Sequence, residues 1–250
     1  MKLSVVTVCR NAAATIGRTL DSFLRQDHAD KQLLVIDGAS TDETVAIAQS
    51  FACDGLQVIS EPDRGLYDAM NKGLARFDGE AVGFLNADDR FHDAGALSAI
   101  AGALERADIC YGDLDVIDAR DGERVVRRWR SRGWRRGDFR LGWMPPHPTF
   151  YCRRAVVDRV GGFDLRYRLA ADYDFMLRAL ELTDFASVRA PRVLVDMGAG
   201  GLSASGWRSS LRHNLEALDS RRRWLGAGLI DYALFAKPLR KASQFLTVGS

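Results

Sequence analysis

Apolar residues follow two alternating patterns through the first hundred residues of the chain. Short β-branched runs such as Leu3–Val8 and Gln32–Ile36 predict buried strands, and the helical spacing of apolar residues in Ala13–Arg25 predicts a helix between them. The further predicted elements are the helix Asp42–Ser50, the strand Leu56–Ser60, the helix Leu66–Phe77, the strand Ala81–Leu85 and the helix Asp93–Leu104. Ser40 and Glu43 form a capping-box pattern at the start of the second helix. Strands that alternate with helices are typical of a mostly parallel sheet with helices on both faces, so the sequence predicts an α/β fold.

The pattern changes in the second half of the chain. Ile109–Ile117 and Glu123–Trp129 flank an Asp-Gly turn signal, which predicts a small antiparallel hairpin. The Arg- and Gly-rich segment Arg130–Gly142 has little periodicity and is interpreted as a mobile loop. The remaining predicted elements are the helices Ala155–Val160 and Ala170–Leu182 and a strand pair at Ala186–Val188 and Val193–Asp196. We expect residues 1–205 to form the main domain and residues 206–250 a basic, helical C-terminal extension.

Composition narrows the class of protein. The 35 Lys and Arg residues against 33 Asp and Glu residues give a net charge of +2, and no recognised nucleic-acid module accompanies the Arg-rich segment, so nucleic-acid binding is not expected. The widely spaced cysteines, Cys9, Cys53, Cys110 and Cys152, lack zinc-ligand or redox-motif spacing and predict reduced thiols. The chain begins with a strand pattern and has no apolar run long enough to span a bilayer. We therefore expect a cytoplasmic protein.

Polar residues follow four successive predicted strands, and ligands of open α/β sheets bind at the carboxyl ends of the strands. The residues concerned are Thr7, Cys9, Arg10 and Asn11 at the first strand, Asp37 at the second, Asp63 and Arg64 at the third, and Asp88 and Asp89 at the fourth. Adjacent carboxylates at the end of a buried strand are costly without a cation, and their hard oxygen atoms suit Mg²⁺ or Mn²⁺. A solvated turn would explain any one of these strand ends, but it explains four together less well.

The sequence therefore predicts a nucleotide-diphosphate site at this edge of the sheet. In this interpretation Asp37 accepts a hydrogen bond from the base or the ribose, and Asp88 holds the ribose. Asp89 binds the metal ion, which stabilises the charge that develops as the diphosphate leaves. Arg64 adds a hydrogen-bond donor at the same edge.

Three segments carry a resemblance to a known family. The runs Ser4–Asn11 and Val35–Asp42 resemble the start of a family 2 glycosyltransferase, and the more specific run Glu61–Gly73 resembles a further segment of that family. The resemblance covers roughly residues 1–205, and within the family it is strongest to bacterial exopolysaccharide enzymes of the colanic-acid type. It implies the GT-A fold, a nucleotide-sugar donor, a divalent metal ion and inversion at the anomeric carbon.

The resemblance also implies roles for individual carboxylates. Asp37 matches the base-binding aspartate of the family, and Asp88 and Asp89 match the end of its DxD-like motif, although Asn86 stands where a strict motif has Asp. Asp172 matches the catalytic base, with Ala in place of the preceding Glu. An inverting enzyme needs one carboxylate to take the proton of the acceptor hydroxyl. Asp174 is the competing candidate for this role.

Other residues are assigned to the acceptor side. His147, in a rigid Pro-rich segment that the resemblance places near the acceptor, is a candidate for binding the acceptor or the metal, and Trp143 is a candidate for stacking on a sugar. Plain packing is the alternative for both. The resemblance also implies that the glycine-rich segment Gly198–Ser203 closes over the diphosphate. The basic C-terminal helix either lies on an anionic membrane or packs on the domain.

The sequence thus predicts an inverting glycosyltransferase that uses a glycan or lipid-linked acceptor in surface polysaccharide or glycolipid synthesis. A UDP-sugar is the favoured donor, and GDP- and dTDP-sugars are the alternatives. A non-catalytic nucleotide-sugar-binding protein is one rival. A sugar nucleotidyltransferase is another, but residues 9–14 do not form the Gly-rich, basic loop that would hold a triphosphate.

Overall fold

The computed structural model describes residues 1–51, 53–118, 123–199, 207–226 and 228, which contain nine strands and seven α-helices. The strands are β1 Leu3–Cys9, β2 Lys31–Asp37, β3 Leu56–Ser60, β4 Ala81–Phe84, β5 Arg90–Phe91, β6 Ile109–Ile117, β7 Val125–Trp129, β8 Tyr151–Arg153 and β9 Ser187–Gly198. The helices are α1 Ile16–Leu24, α2 Thr44–Ser50, α3 Leu66–Leu74, α4 Ala96–Leu104, α5 Arg154–Val160, α6 Ala171–Glu181 and α7 Trp207–Leu225. Two short 3₁₀-helices cover Asp138–Leu141 and His147–Thr149. The predicted alternation of strands and helices is confirmed.

All nine strands belong to one sheet with the order β3-β2-β1-β4-β8-β6-β9-β5, and β7 pairs with β6. The strands β3, β2, β1 and β4 are parallel, so their carboxyl ends meet at one edge. β8 is antiparallel to β4 and β6, whereas β6 and β9 are parallel. The first half of the sheet is therefore the parallel sheet that the sequence predicts, and the second half is mixed.

Helices cover both faces of the sheet, and the central strand β1 shows this most clearly. All seven of its residues are buried, as expected of a parallel strand that is covered on both sides. Val6 and Val8 face one apolar cluster, to which α3 and α6 contribute, and Leu3 and Val5 face a second cluster with α1 and α4.

Several predicted elements differ in the structure. The capping box is wrong, because the Glu43 side chain makes no capping bond and the Thr44 amide instead donates to Asp42 Oδ1 over 3.0 Å. Arg130–Gly142 is anchored rather than loose, since Phe139 is fully buried. The predicted strand pair after α6 is the single strand β9. The hairpin β6–β7 is confirmed, while its Asp-Gly turn lies outside the described residues.

The helix α7 packs on α6. Ser220 Oγ and Trp224 Nε1 of α7 donate to Asp174 Oδ1 of α6 over 2.8 and 2.9 Å. Glu216 of α7 accepts the backbone N–H of Leu169, just before α6 begins, over 2.7 Å. One face of α7 thus contributes to the domain core, as the packing alternative for the C-terminal helix predicts. No helix in the described part of the chain is long and apolar enough to cross a bilayer.

Candidate functional site

Hydrogen bonds join the loop after β1 to the loop after β2. The backbone N–H of Asn11 donates to Ser40 Oγ over 2.7 Å, and Asn11 Oδ1 accepts the backbone N–H of Thr41 over 2.9 Å. Asn11 and Ala39 both have positive φ, at 52° and 55°. Asn adopts this left-handed conformation readily, but for Ala it costs about 1–2 kcal/mol, so the surrounding bonds must impose it. Strained backbone such as that at Ala39 is frequent at ligand sites, and here it lies at the carboxyl edge of the sheet.

Asp37 is the centre of this edge. It is fully buried, and its Oδ2 accepts from the backbone N–H of Ser40 over 2.9 Å and from Ser60 Oγ over 2.6 Å. Its Oδ1 accepts from Ser40 Oγ and lies 3.6 Å from Cys9 Sγ. Burial raises the pKa of the Asp37 carboxyl, but these hydrogen bonds outweigh burial and hold the pKa below its usual range. The carboxylate therefore ties the loop after β2 to β1 and β3.

The predicted donor-binding residues of β1 differ in exposure. Thr7 is fully buried, and its Oγ1 has no hydrogen-bond partner among the described residues. Burial, with the Asp37 charge second, raises the pKa of Cys9 to about 12, so Cys9 stays a neutral thiol. Arg10 is exposed and makes no ion pair within the described part of the chain, which leaves its guanidinium open to an anion.

Within the motif Glu61–Gly73, hydrogen bonds link the helix α3 to the loop before it. Asp68 of α3 accepts from the backbone N–H of Arg64 and from its guanidinium, at 3.0 and 2.9 Å, and Lys72 donates to the carbonyl of Pro62 over 2.6 Å. The first turns of the helix therefore fix the loop before it. Asp63 in that loop lies against Gly38, where a Cβ atom would come within 2.2 Å of Asp63 Oδ2. The structure thus brings Asp63 beside the loop after β2.

Asn86 and the two predicted metal-site carboxylates follow β4. Asp88 is exposed, whereas Asp89 is only 1% exposed. Asp89 Oδ2 accepts from Asn86 Nδ2 over 3.0 Å, and Asp89 Oδ1 accepts the backbone N–H of Gly198 over 3.2 Å. Burial, and then the charge of Asp88, raises the pKa of Asp89 well above its usual range.

These residues fit a divalent metal ion. No group of three or more His, Cys, Asp or Glu side chains in the described residues forms a complete metal cage. Mg²⁺ is nonetheless commonly bound by one or two carboxylates, with substrate phosphates and water completing its coordination. Asn86 Oδ1, next to Asp89, is buried without a hydrogen-bond partner in the described chain, and it is a hard oxygen atom of the right type. The Asn that departs from a strict DxD motif therefore supplies an available oxygen.

Asp172 lies in the first turn of α6 and is half-buried. Its Oδ1 accepts from Tyr67 Oη over 3.0 Å and from the backbone N–H of Tyr173 over 2.8 Å. Its Oδ2 takes no hydrogen bond within the described residues. The carboxylate is therefore fixed by one oxygen and open at the other, which is the arrangement that a general base needs.

An aromatic cluster joins the end of β4 to the start of α6. His147 stacks on Phe84, the last residue of β4, with ring centroids 5.5 Å apart. Phe163 packs edge-on against Phe84 at 5.2 Å and stacks on Tyr67 at 5.6 Å. Burial lowers the pKa of His147, while the nearby charge of Asp172 opposes this shift. The loop after β4, which carries Asp89, and the candidate base Asp172 thus lie at opposite ends of this aromatic cluster. His147 lies between them and is neutral.

Two predicted acceptor residues lie in other surroundings. Asp174 is fully buried and pairs with Arg178 Nε over 2.8 Å, in addition to its two bonds to α7. Trp143 is only 9% exposed; the guanidinium of Arg132 lies 5.0 Å from its ring centroid, and Tyr111 packs edge-on against it at 5.9 Å. This geometry favours structural roles for both residues over contact with a sugar. The predicted glycine-rich segment Gly198–Ser203 lies outside the described residues from position 200 onward.

Two further residues of the Glu61–Gly73 motif, Tyr67 and Asn71, belong to this site, and the sequence did not predict them. Tyr67 contacts Asp172, and Asn71 clamps the backbone of Phe163 by donating to its carbonyl over 2.9 Å and accepting its N–H over 2.8 Å. Their spacing of four residues places both on one face of α3. That spacing was the available signal, although it does not reveal which distant segment the face contacts.

Comparisons with known proteins identify the family of the chain. The sequence profile of the family described as Glycosyl transferase family 2 matches residues 4–160. A Mycobacterium bovis protein named PGL/p-HBAD biosynthesis glycosyltransferase is 35% identical over 186 residues, which are 70% of this chain and 68% of that protein. A Mycobacterium tuberculosis protein named only as an uncharacterized glycosyltransferase is 29% identical over 92% of this chain and 88% of its own length.

Solved structures share the fold. The mannosyltransferase PcManGT from Pyrobaculum calidifontis, in complex with GDP-Man and Mn²⁺, aligns with a TM-score of 0.66 at 20% identity over 99% of this chain and 70% of its own. The S. aureus TarS fragment 1–349 in complex with UDP aligns with a TM-score of 0.65 at 18% identity over 98% of this chain and 71% of its own.

Proposed function

Because the chain belongs to Glycosyl transferase family 2 and has the GT-A fold, and is thus a glycosyltransferase, we propose a specific reaction for it. It moves one sugar from a nucleotide-diphosphate donor to a hydroxyl of a glycan or lipid-linked acceptor, with inversion at the anomeric carbon. The observation that carries this proposal is the carboxylate of Asp172, held at Oδ1 and open at Oδ2.

The proposed step balances with one base. The acceptor hydroxyl oxygen forms a bond to the anomeric carbon while the bond between that carbon and the diphosphate oxygen breaks. Asp172 Oδ2 takes the hydroxyl proton, and the nucleoside diphosphate leaves with the bonding electrons. Attack and departure occur on opposite faces of the sugar, so the configuration inverts.

The donor lies along the carboxyl edge of β1 to β4 in this proposal. The loops after β1 and β2 form its wall, with Thr7, Cys9, Asn11 and Asp37 on the base and ribose side. Arg10 and Arg64 are the exposed cations for the diphosphate, and Asp63 and Asp88 are hydrogen-bond acceptors for the ribose. Asp37 would have to exchange one of its present hydrogen bonds for a contact with the base.

Asp89, with Asn86 beside it, would hold Mg²⁺ or Mn²⁺. The metal ion supplies charge stabilisation for the departing diphosphate. Asp89 is the principal ligand in this proposal because its carboxylate is buried without a compensating cation in the described chain. Support for metal dependence also comes from the PcManGT structure, which contains Mn²⁺.

A UDP-sugar is our first choice of donor, and GDP- and dTDP-sugars are the alternatives; solved proteins of this fold hold UDP in one case and GDP-Man in another. The mycobacterial relative named for PGL/p-HBAD biosynthesis supports a glycolipid-type acceptor, and the colanic-acid resemblance supports an exopolysaccharide. We place the protein in the cytoplasm at the inner face of the membrane, where a lipid-linked acceptor would be reached.

A thermal-shift panel of UDP, GDP and dTDP, each with and without Mn²⁺, tests the donor site. A ligand at one hundred times its Kd stabilises the folded state by about 2.7 kcal/mol, which raises the Tm of a chain of this size by roughly 5–10 °C. We expect one nucleotide to give such a shift only with Mn²⁺. Release of that nucleotide from its nucleotide sugar is then measured, because an enzyme releases it and a binding protein does not. The absence of any Tm shift with all three nucleotides would count against the proposed site.

A further inference from the structure

We propose that Tyr67 is a positioning residue for the base, and that its hydroxyl fixes the Asp172 carboxylate so that Oδ2 faces the acceptor. This inference rests on the proposed function, because it concerns the group that takes the acceptor proton. Tyr67 Oη donates to Asp172 Oδ1 over 3.0 Å across 105 residues of sequence.

The phenol acts as a donor and not as a second base. Tyr67 is 7% exposed, and burial, with the charge of Asp172 second, raises the pKa of its hydroxyl well above the usual range. The hydroxyl therefore remains protonated at neutral pH. Its proton can point to only one acceptor at a time, and Asp172 Oδ1 is the acceptor that the structure provides.

The ring of Tyr67 is also held by Phe163, from a later segment of the chain. Phe163 stacks on it at 5.6 Å with an interplanar angle of 28°. Asn71, one turn further along α3, grips the backbone of Phe163 with two hydrogen bonds, and Gly162 allows this approach, since a Cβ atom there would lie 2.4 Å from Asn71 Oδ1. Asn71 thus fixes Phe163, and Phe163 fixes the ring of Tyr67 with its hydroxyl directed toward Asp172.

The second donor to Asp172 comes from the backbone N–H of Tyr173. Both donors bind Oδ1, and this leaves Oδ2 without a partner in the described chain. A carboxylate with one donor removed can rotate and exchange its two oxygens, so the open oxygen would no longer be fixed toward the substrate.

The variant Tyr67→Phe removes the hydroxyl and keeps the stacked ring. The matched control is Tyr167→Phe, which removes a similarly buried hydroxyl that donates to a carboxylate, Asp219 Oδ2, over 2.8 Å. The probe is release of the nucleoside diphosphate from UDP-glucose, UDP-N-acetylglucosamine or GDP-mannose, with water as the acceptor where no other is known. Binding of UDP or GDP is measured by calorimetry in parallel.

We expect Tyr67→Phe to lower kcat about 10- to 100-fold while the Kd of the nucleotide changes less than about twofold. A fall of kcat without a change in nucleotide binding is a result that a general loss of structure would not give. Tyr167→Phe should leave both kcat and the Kd of the nucleotide in place.

Two kinds of failure are distinguishable. Wild-type kcat in Tyr67→Phe, together with an inactive Asp172→Asn, would overturn the positioning role and leave the proposed function standing. Nucleotide-sugar turnover that Asp172→Asn does not impair would overturn the assignment of the base, and the role of Tyr67 with it. An equal fall of kcat in Tyr67→Phe and Tyr167→Phe would show a general structural effect and would also overturn the proposal.

Discussion

Two pairs of aspartates in this chain look alike in sequence and differ in what surrounds them. Asp88 and Asp89 follow β4, and Asp172 and Asp174 begin α6. In each pair one carboxylate is the more accessible, with Asp88 exposed and Asp172 half-buried, and the other is buried. The accessible members, Asp88 and Asp172, are the ones that a substrate can reach directly.

The buried members differ in charge compensation. Asp174 pairs with Arg178 and also accepts from Ser220 and Trp224. Asp89 accepts from the neutral groups of Asn86 and Gly198 and has no cation in the described chain. A buried carboxylate is complete when its own cation compensates its charge. A buried carboxylate without a cation is incomplete, and a metal ion can supply the missing positive charge. The same residue type at a helix or strand terminus therefore serves structure in one place and ligand binding in the other.

The largest effect is expected at the open member of the α6 pair. Asp172→Asn removes the proton acceptor and should lower kcat about 10²- to 10⁴-fold. The Kd of UDP should stay within about twofold, because the donor contacts lie on β1 to β4. Nucleotide release from the preferred nucleotide sugar and calorimetry with UDP check the two quantities. Wild-type kcat in this variant would contradict the assignment of the base.

The buried member of the same pair should respond in stability. Asp174→Asn leaves Arg178 buried without its counter-charge, and breaking such a pair typically costs about 3–5 kcal/mol. Urea denaturation followed by circular dichroism measures this loss. Asp184→Asn is the control, since that carboxylate is fully exposed and its pairing with Arg136 should contribute nothing measurable. Equal stability of the two variants would remove the distinction between a complete and an incomplete carboxylate.

The buried member of the β4 pair should show the opposite sign. Asp89→Asn replaces an uncompensated buried carboxylate by a neutral amide, so we expect metal-free stability to hold or to rise by up to about 1 kcal/mol. The affinity for Mn²⁺ in the presence of UDP should fall at least about tenfold.

Thermal shifts with and without Mn²⁺ measure both effects. The companion variant Asp88→Asn should weaken UDP binding and keep the response to Mn²⁺. A clear loss of metal-free stability in Asp89→Asn would mean that Asp89 is a structural residue like Asp174.

Periodicity predicted the first half of the fold because its strands are buried on both faces and its helices are amphipathic. The antiparallel strands β5 and β8 were missed, since two or three residues carry no period. The sequence predicts two strands where β9 is continuous through Pro191. Pro191 lies where β9 shifts register against Gly112 of β6, and an irregularity of this kind accommodates a proline without ending the strand.

The site was predictable where its residues follow strands, because parallel strands bring their carboxyl ends to one edge. The partners of Asp172 were not predictable, since Tyr67 is 105 positions away and only the packed structure shows that they meet. The sequence did not reveal that Arg132 and Tyr111 contact the ring of Trp143, and the assignment of Trp143 to a sugar stays a prediction. Sequence gives the type of a side chain and not its neighbours.

The smallest effect concerns Asp37, a third carboxylate that is fully hydrogen-bonded like Asp174 but lies at the donor edge. Its pKa lies below that of the unfolded chain, so its charge adds stability above about pH 4, and this contribution is lost as the pH falls through the folded-state value. Asp37→Asn should therefore cost about 1 kcal/mol at pH 7, and the gap to the wild type should narrow below about pH 4. Urea denaturation from pH 7 to pH 3 measures the gap. A gap that stays constant on acidification would contradict a contribution of the Asp37 charge to stability, and would leave donor binding as the role of this carboxylate.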